Sequence, residues 1–339
     1  MIYTELGRSD LKISQFTLGC CFLGSAISET ESRRILDHAL DAGVNALDTA
    51  ESYGPPPGTS EAFLGQYLKG RRDRVVVSTK VGPTRYWLDE PAEQGLTRSV
   101  ITRVVEASLC RLQTNYIDIL YAHFPCPVTP LEESLGAFDD LVRAGKVRNI
   151  GLSNHSASKV VEALWIADRN GYAPIVATQD LYNLFERVNE WDLYPVCQRH
   201  ELGVVAYAVL AGGLLAGNYT LDMVRDHEQI PPSRRAAYYG RYDNDSAPTR
   251  SSPKLTEHTI NAVAGLQAWA AERGVTPSQV ATAWALSHPA VRSVLLGVSS
   301  CAQFDANLAA LDLKLSRDER TEIGNLFPRD CVNMVAPTW

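Results

Sequence analysis

The sequence predicts an α/β chain folded as a (β/α)8 TIM barrel, with an N-terminal β-hairpin and a long loop after the seventh barrel strand. Three observations lead there. Eight short apolar runs alternate with stretches of helical period, which argues for parallel strands joined by crossover helices. No G-x-G-x-x-G follows the first strand candidate in QFTLGCCFLGS, or any later one, so the fingerprint of a doubly wound dinucleotide domain is missing. No Pro/Gly/Ser-rich linker divides the 339 residues, so 1–339 reads as a single barrel domain.

The elements follow in order. YTEL, the turn GRSD and LKIS read as a hairpin over 1–14. The barrel strands are expected at QFTLGC (15–20), NALDT (45–49), VVVSTK (75–80), IDILYAH (117–123), VRNIGLSN (147–154), VATQDL (176–181), GVVAYAV (203–209) and VRSVLLG (291–297). Helices are expected to start near Ser28, Ser60, Thr97, Thr129, Ser156, Asn189, Thr256 and Ser299, most of them at a side chain able to accept from a free backbone amide. Gly43, Gly145, Gly171, Gly203 and Gly274 are read as helix closers. SVITRVVEASLCRL has the i, i+3, i+4 apolar spacing of a helix lying on a sheet. The polar segment 211–255, rich in Tyr, Arg and Pro, breaks the rhythm; after a seventh strand it lies on the catalytic face. SQVATAWALSHP (278–289) is a further helix, and the tail 328–339 either folds over the barrel mouth or frays.

Composition excludes several function classes. A net charge of −7 argues against a nucleic-acid surface. No run of about 18 apolar residues predicts a membrane span, and MIYTELGRSDLKIS lacks a signal-peptide pattern. Seven scattered cysteines without C-x-x-C fit a reducing compartment, so a cytoplasmic location is expected, and the vicinal Cys20 and Cys21 read as core residues. No His/Asp/Glu cluster recurs at ligand spacing, so no metal is expected.

In such barrels chemistry gathers where the strands end. The second barrel strand ends in Asp48, with Tyr53 in the loop beyond; the third ends in Lys80, the fourth in His123 and the fifth in Ser153 and Asn154. The sixth carries Gln179 and the seventh Tyr207. A phenol titrates near pH ~10 when unperturbed, and a cation within about 4–6 Å lowers that value. Lys80 can be that cation, held and kept charged by Asp48. His123 can donate to a substrate oxygen. The set can protonate a developing alkoxide, which suits carbonyl reduction and its reverse, but it supplies no hydride, so a cofactor must.

These residues lie in segments that resemble the aldo-keto reductases over nearly the whole chain, in order and spacing. LDTAESYG matches the family's Asp–Tyr segment, STKVG its Lys segment and IDILYAHFP its His segment. GLSNH, QDLYN and AYAVLAGGLL resemble the stretches that hold the nicotinamide, and LLGVSSCAQFDANLAAL the stretch that holds the adenosine phosphate. The branch resembled is that of the aryl-alcohol dehydrogenases and potassium-channel β-subunits. The resemblance implies a catalytic tetrad of Asp48, Tyr53, Lys80 and His123, with Tyr53 as proton donor. It implies that Ser153, Asn154 and Gln179 bond the carboxamide, that Tyr207 stacks on the ring, and that Leu210, Gly212, Leu214 and Gly297 adjoin the cofactor. Ser299, Gln303 and Asn307 are implied at the adenosine end, at a helix N-terminus suited to phosphate.

The cofactor implied is NADPH, with NADH the alternative because Ser300 stands where relatives carry Lys or Arg. AYAVLAGG replaces the usual AYSPLAGG at Ala208 and Val209, and Phe124 replaces a common Trp. Trp87, Phe124 and Trp191 are candidates for the pocket of a small carbonyl substrate, and Tyr238, Tyr239, Arg241 and Tyr242 for a closing loop. Alternatives to a general carbonyl reductase are a reductase of nucleotide-linked keto-sugars, a β-subunit-like regulatory cofactor-binding protein, and a cofactor-free barrel enzyme. Oligomeric state is not legible.

Overall fold

The apolar runs form the eight parallel strands of a closed barrel in the computed structural model, which describes residues 1–82, 95–226, 229–230 and 255–327. A separate antiparallel hairpin, β1 (Tyr3–Glu5) and β2 (Lys12–Ser14), comes first. The barrel strands are β3 (Phe16–Gly19), β4 (Ala46–Asp48), β5 (Val76–Val81), β6 (Ile117–Ala122), β7 (Val147–Ser153), β8 (Ile175–Leu181), β9 (Gly203–Tyr207) and β10 (Val291–Leu296). They pair in chain order, and β10 closes the ring between β9 and β3. β5 and β6 are buried along their whole length, as strands covered on both faces are.

The hairpin seals the barrel end at which the strands begin. Leu6 and Ile13 are fully buried and cluster with Ala46, Val76, Ile119 and Val205; each such side chain stabilises the fold by about 2 kcal/mol. Gly7 makes the approach possible. Its φ is +60°, and a Cβ there would lie 2.0 Å from the Val176 carbonyl oxygen.

Helices cover the outside: α1 (Glu29–Asp41), α2 (Thr59–Tyr67), α3 (Arg98–Leu112), α4 (Leu131–Arg143), α5 (Ala157–Asn170), α6 (Leu193–Arg199), α7 (Leu221–Arg225), α8 (Glu257–Glu272), α9 (Pro277–Leu286), α10 (Cys301–Leu308) and α11 (Arg317–Asn325). Ser28, Thr97, Ser156 and Thr256 cap α1, α3, α5 and α8 through their hydroxyls.

Several expected boundaries move, for local reasons. Ser60 does not start α2, because its hydroxyl bonds the Cys20 carbonyl and Thr49; Gly58, in a left-handed conformation, is the cap. Pro130, not Thr129, precedes α4. Asn189 sits in a 3-10 turn (Val188–Glu190), and Asp192 caps α6. Ser300, not Ser299, caps α10. Gly203 closes no helix. It opens β9, where a Cβ would meet Leu6 Cδ1 at 2.6 Å, and Glu201 instead takes the left-handed turn after α6. The segment expected as a long loop over 211–255 begins with a 3-10 turn (Ala211–Ala216) and α7. Residues 231–254, with Tyr238, Tyr239, Arg241 and Tyr242, lie outside the described residues, as does the tail 328–339. Among the described residues no helix is long and apolar enough to cross a membrane, and no group of three or more His, Cys, Asp or Glu could hold a metal.

Candidate active site

Alternation along β5 points Val76, Ser78 and Lys80 into the barrel, and register places Ser78 beside Asp48 on β4. Asp48 and Lys80 are each 1% exposed. Burying such charges costs far more than it returns unless every polar atom is satisfied. Here they are well supplied. Lys80 Nζ donates to Asp48 Oδ1 and, at 2.9 Å, to the Thr49 carbonyl. Asp48 Oδ2 accepts from Ser78 Oγ at 2.6 Å and from Gln179 Nε2 at 2.8 Å. β4 and β8 stand on opposite walls, so the Gln179 bond spans the barrel.

Above this pair lies an aromatic rim. Lys80 Nζ is 4.8 Å from the centre of the Tyr53 ring, which the turn after β4 holds through the Tyr53 amide and the Ala50 carbonyl. The Tyr53 and His123 rings meet edge to face, centres 6.0 Å apart, and His123 stacks on half-buried Phe124 at 4.6 Å. Burial first, and then the charge of Lys80, hold the His123 pKa well below the usual histidine range. The imidazole is therefore neutral at pH 7, with one nitrogen a donor and the other an acceptor. Its Nδ1 is buried and has no partner among the described residues.

The next strand ends are tied together. Tyr207 donates to Asn154 Oδ1 at 2.6 Å; Asn154 Nδ2 donates to Ser153 Oγ and to the His123 carbonyl, both at 3.0 Å. Ser153 Oγ donates to the Gln179 carbonyl at 2.7 Å. Past Tyr207 the chain turns through Ala208 and Ala211, both left-handed, at a cost of roughly 1–2 kcal/mol per residue. Asn183 Nδ2 pins the turn on the Ala208 carbonyl at 3.0 Å. Leu210, Gly212 and Leu214 belong to this turn, with Leu214 buried.

The remaining expected residues flank α10. Gly297 is exposed just after β10, and among the described residues a Cβ there would find only the Gly19 carbonyl, at 3.8 Å. Ser299 donates through both its amide and its hydroxyl to Gln303 Oε1, at 2.7 and 3.0 Å, and Ser300 Oγ accepts from the Gln303 amide. Asn307 is buried, and its Nδ2 has no partner among the described residues. Trp191 is 70% exposed at the end of a 3-10 turn. Trp87 lies outside the described residues.

Sequence reasoning did not single out Ser78 or Asn183. Ser78 had a signal: it stands two residues before Lys80 in a strand, hence on the same face. Asn183 had none, because its partner Ala208 is 25 residues away.

The family model described as "Aldo/keto reductase family" matches residues 16–326. The chain is 34% identical to a probable voltage-gated potassium channel subunit beta of Oryza sativa subsp. japonica, over 92% of each chain. It is 32% identical to Protein tas of Escherichia coli (strain K12), over 95% of this chain and 96% of that one. It is also 32% identical to L-glyceraldehyde 3-phosphate reductase of the same organism, over 95% of this chain and 91% of the other.

Proposed function

Since this chain belongs to the aldo/keto reductase family, whose members are NAD(P)H oxidoreductases, we propose that it reduces an aldehyde or ketone to an alcohol, reversibly, with Tyr53 as the proton donor. The observation that carries the reading is the buried ammonium of Lys80, gripped by Asp48 beneath the Tyr53 ring and beside a neutral His123. An ammonium so placed favours the phenolate and prepares the phenol to give up its proton. His123, neutral, has one ring N–H, which would orient the carbonyl oxygen as a hydrogen-bond donor. Asp48 holds Lys80 in place and keeps it charged.

The residues fit a nicotinamide dinucleotide. Ser153, Asn154 and Gln179 gather amide and hydroxyl groups at one end, with the Tyr207 ring beside them, and a carboxamide there would exchange for bonds they now make to one another; the unpartnered Asn307 Nδ2 lies at the other. When bound, the cofactor supplies the hydride that no side chain can. Leu210, Gly212, Leu214 and Gly297 would flank it, and Ser299 and Gln303 would meet the adenosine end. NADPH is the proposed nucleotide. NADH is the competitor, because the hydroxyl of Ser300 is already engaged as a helix cap. Phe124, and with it Trp87 and Trp191, would border the substrate, a small carbonyl compound or a nucleotide-linked keto-sugar. The name of one relative, L-glyceraldehyde 3-phosphate reductase, supports an aldehyde.

A second reading follows from the name of another relative, a potassium-channel β-subunit: a cofactor-binding regulatory protein. Fluorescence titration with NADPH and NADH, followed by turnover on a panel of aldehydes, ketones and keto-sugars, separates the readings. Binding with turnover supports the reductase. Binding without turnover on any carbonyl favours the regulatory protein, and binding of neither nucleotide overturns both.

A further inference from the structure

Beneath Asp48, in the barrel interior, lies a small cavity of about 10 Å3. That is roughly the space the centre of a single water molecule needs. Its apolar walls include Ile119 and Val205, but four polar side chains also face it: Thr17, Ser78, Tyr121 and Gln179. A purely apolar pocket of this size stays dry, whereas one with two to four polar partners holds water.

The proton inventory of these four groups is specific. Ser293 Oγ donates to the Ser14 carbonyl at 2.8 Å, so in its 2.7 Å bond with Thr17 Oγ1 the Thr17 hydroxyl is the donor. Ser78 Oγ spends its proton on Asp48. Thr17 and Ser78 are thus left with acceptor lone pairs only. Gln179 Nε2 has two protons and gives one to Asp48. Its orientation is fixed, because the amide oxygen could not face a carboxylate. The Tyr121 hydroxyl, 1% exposed, donates to none of the described residues. Two spent hydroxyls that can only accept and two groups with a proton to give match the two donors and two acceptors of water.

We propose that this cavity is a binding site for one internal water molecule, accepting from Tyr121 Oη and Gln179 Nε2 and donating to Thr17 Oγ1 and Ser78 Oγ. The barrel is built to bring Tyr121 there. Its register partner on β7 is Gly151, where a Cβ would lie 2.3 Å from Tyr121 Cε1, so the phenol keeps its inward position only opposite a glycine. The water ties together Ser78 and Gln179, the two side chains that grip Asp48 Oδ2. It extends the polar column from Lys80 down to Thr17 and Ser293.

A crystal structure of the full chain, at a resolution that shows other buried waters, tests the site. The expected result is one density peak within hydrogen-bond distance of all four atoms; no peak there, with other internal waters visible, overturns the proposal. Val205→Ile narrows the cavity and Tyr121→Phe removes one donor. Loss of the peak in either variant is expected, and a peak unchanged in both counts against the assigned partners. Should the variants not fold, the wild-type density still decides. In Tyr121→Phe the alkaline limb of the reductase pH profile moves to higher pH, because a looser Asp48 holds Lys80 less firmly under Tyr53. That readout rests on the carbonyl-reductase reading, whereas the density does not, so the two fail separately.

Discussion

The two ends of this barrel are made from the same strands and do opposite work. Where the strands begin, most inward side chains are apolar, Thr17 and Ser293 excepted, and the hairpin drives Leu6 and Ile13 into the opening. Where they finish, inward side chains are Asp48, Lys80, Ser153 and Gln179, satisfied almost wholly by one another and by strand-end carbonyls. Alternation along a strand thus selects a face, while position along the strand selects chemistry. One end supplies stability, so the other can hold a buried ion pair and left-handed alanines.

Substitutions at each end sharpen that contrast. Asp48→Asn leaves the Lys80 ammonium buried without its counter-charge, a loss of roughly 3–5 kcal/mol. Urea denaturation should show it, together with loss of turnover; an unchanged midpoint would mean that the ion pair contributes nothing net. Leu6→Ala at the opposite end should cost roughly 3 kcal/mol and leave kcat per folded molecule unaltered. A fall in kcat there would break the division between the two ends.

The outer face of β8 offers a carboxylate in a different setting. Burial pushes the Asp180 pKa up to about 7, and its Oδ2 has no partner among the described residues. With the folded pKa above the unfolded one, the native state binds the extra proton between pH about 4 and 7, so this residue lowers stability as pH rises through that window. Asp180→Asn escapes the effect. Its stability advantage over wild type should grow from pH about 4 to 7, towards an upper bound of roughly 4 kcal/mol, and then level off. A difference flat across that range would show that Asp180 stays charged at no cost. The smallest effect is expected at the turn after Tyr207. Ala208→Gly relieves a left-handed backbone and should raise stability by up to about 1 kcal/mol in thermal melts.

Much of this was legible in the residues. Apolar runs and helical periods placed all eight strands, because strands covered on both faces leave a plain signal. The strand-end positions of Asp48, Lys80 and His123 followed from the same runs. Long-range packing left no such trace. Gly203 looks like a helix closer by local composition, and only the hairpin crossing it explains why it must be a glycine. Ser60 looks like a cap, yet its hydroxyl is committed to Cys20 and Thr49. Ser78 was hidden for another reason: in a row of β-formers, a small hydroxyl reads as filler until the register places it against Asp48.

Delivery of the proton by Tyr53, tuned by the Lys80 ammonium, is the heart of the proposed function. Its most direct test is to compare Tyr53→Phe with wild type in two assays, nucleotide binding by fluorescence and turnover of the best carbonyl substrate. Binding should be unchanged and kcat should fall about 10²–10⁴-fold, the usual contribution of a general acid. Turnover near the wild-type rate with binding intact would contradict it and move the proton to another donor.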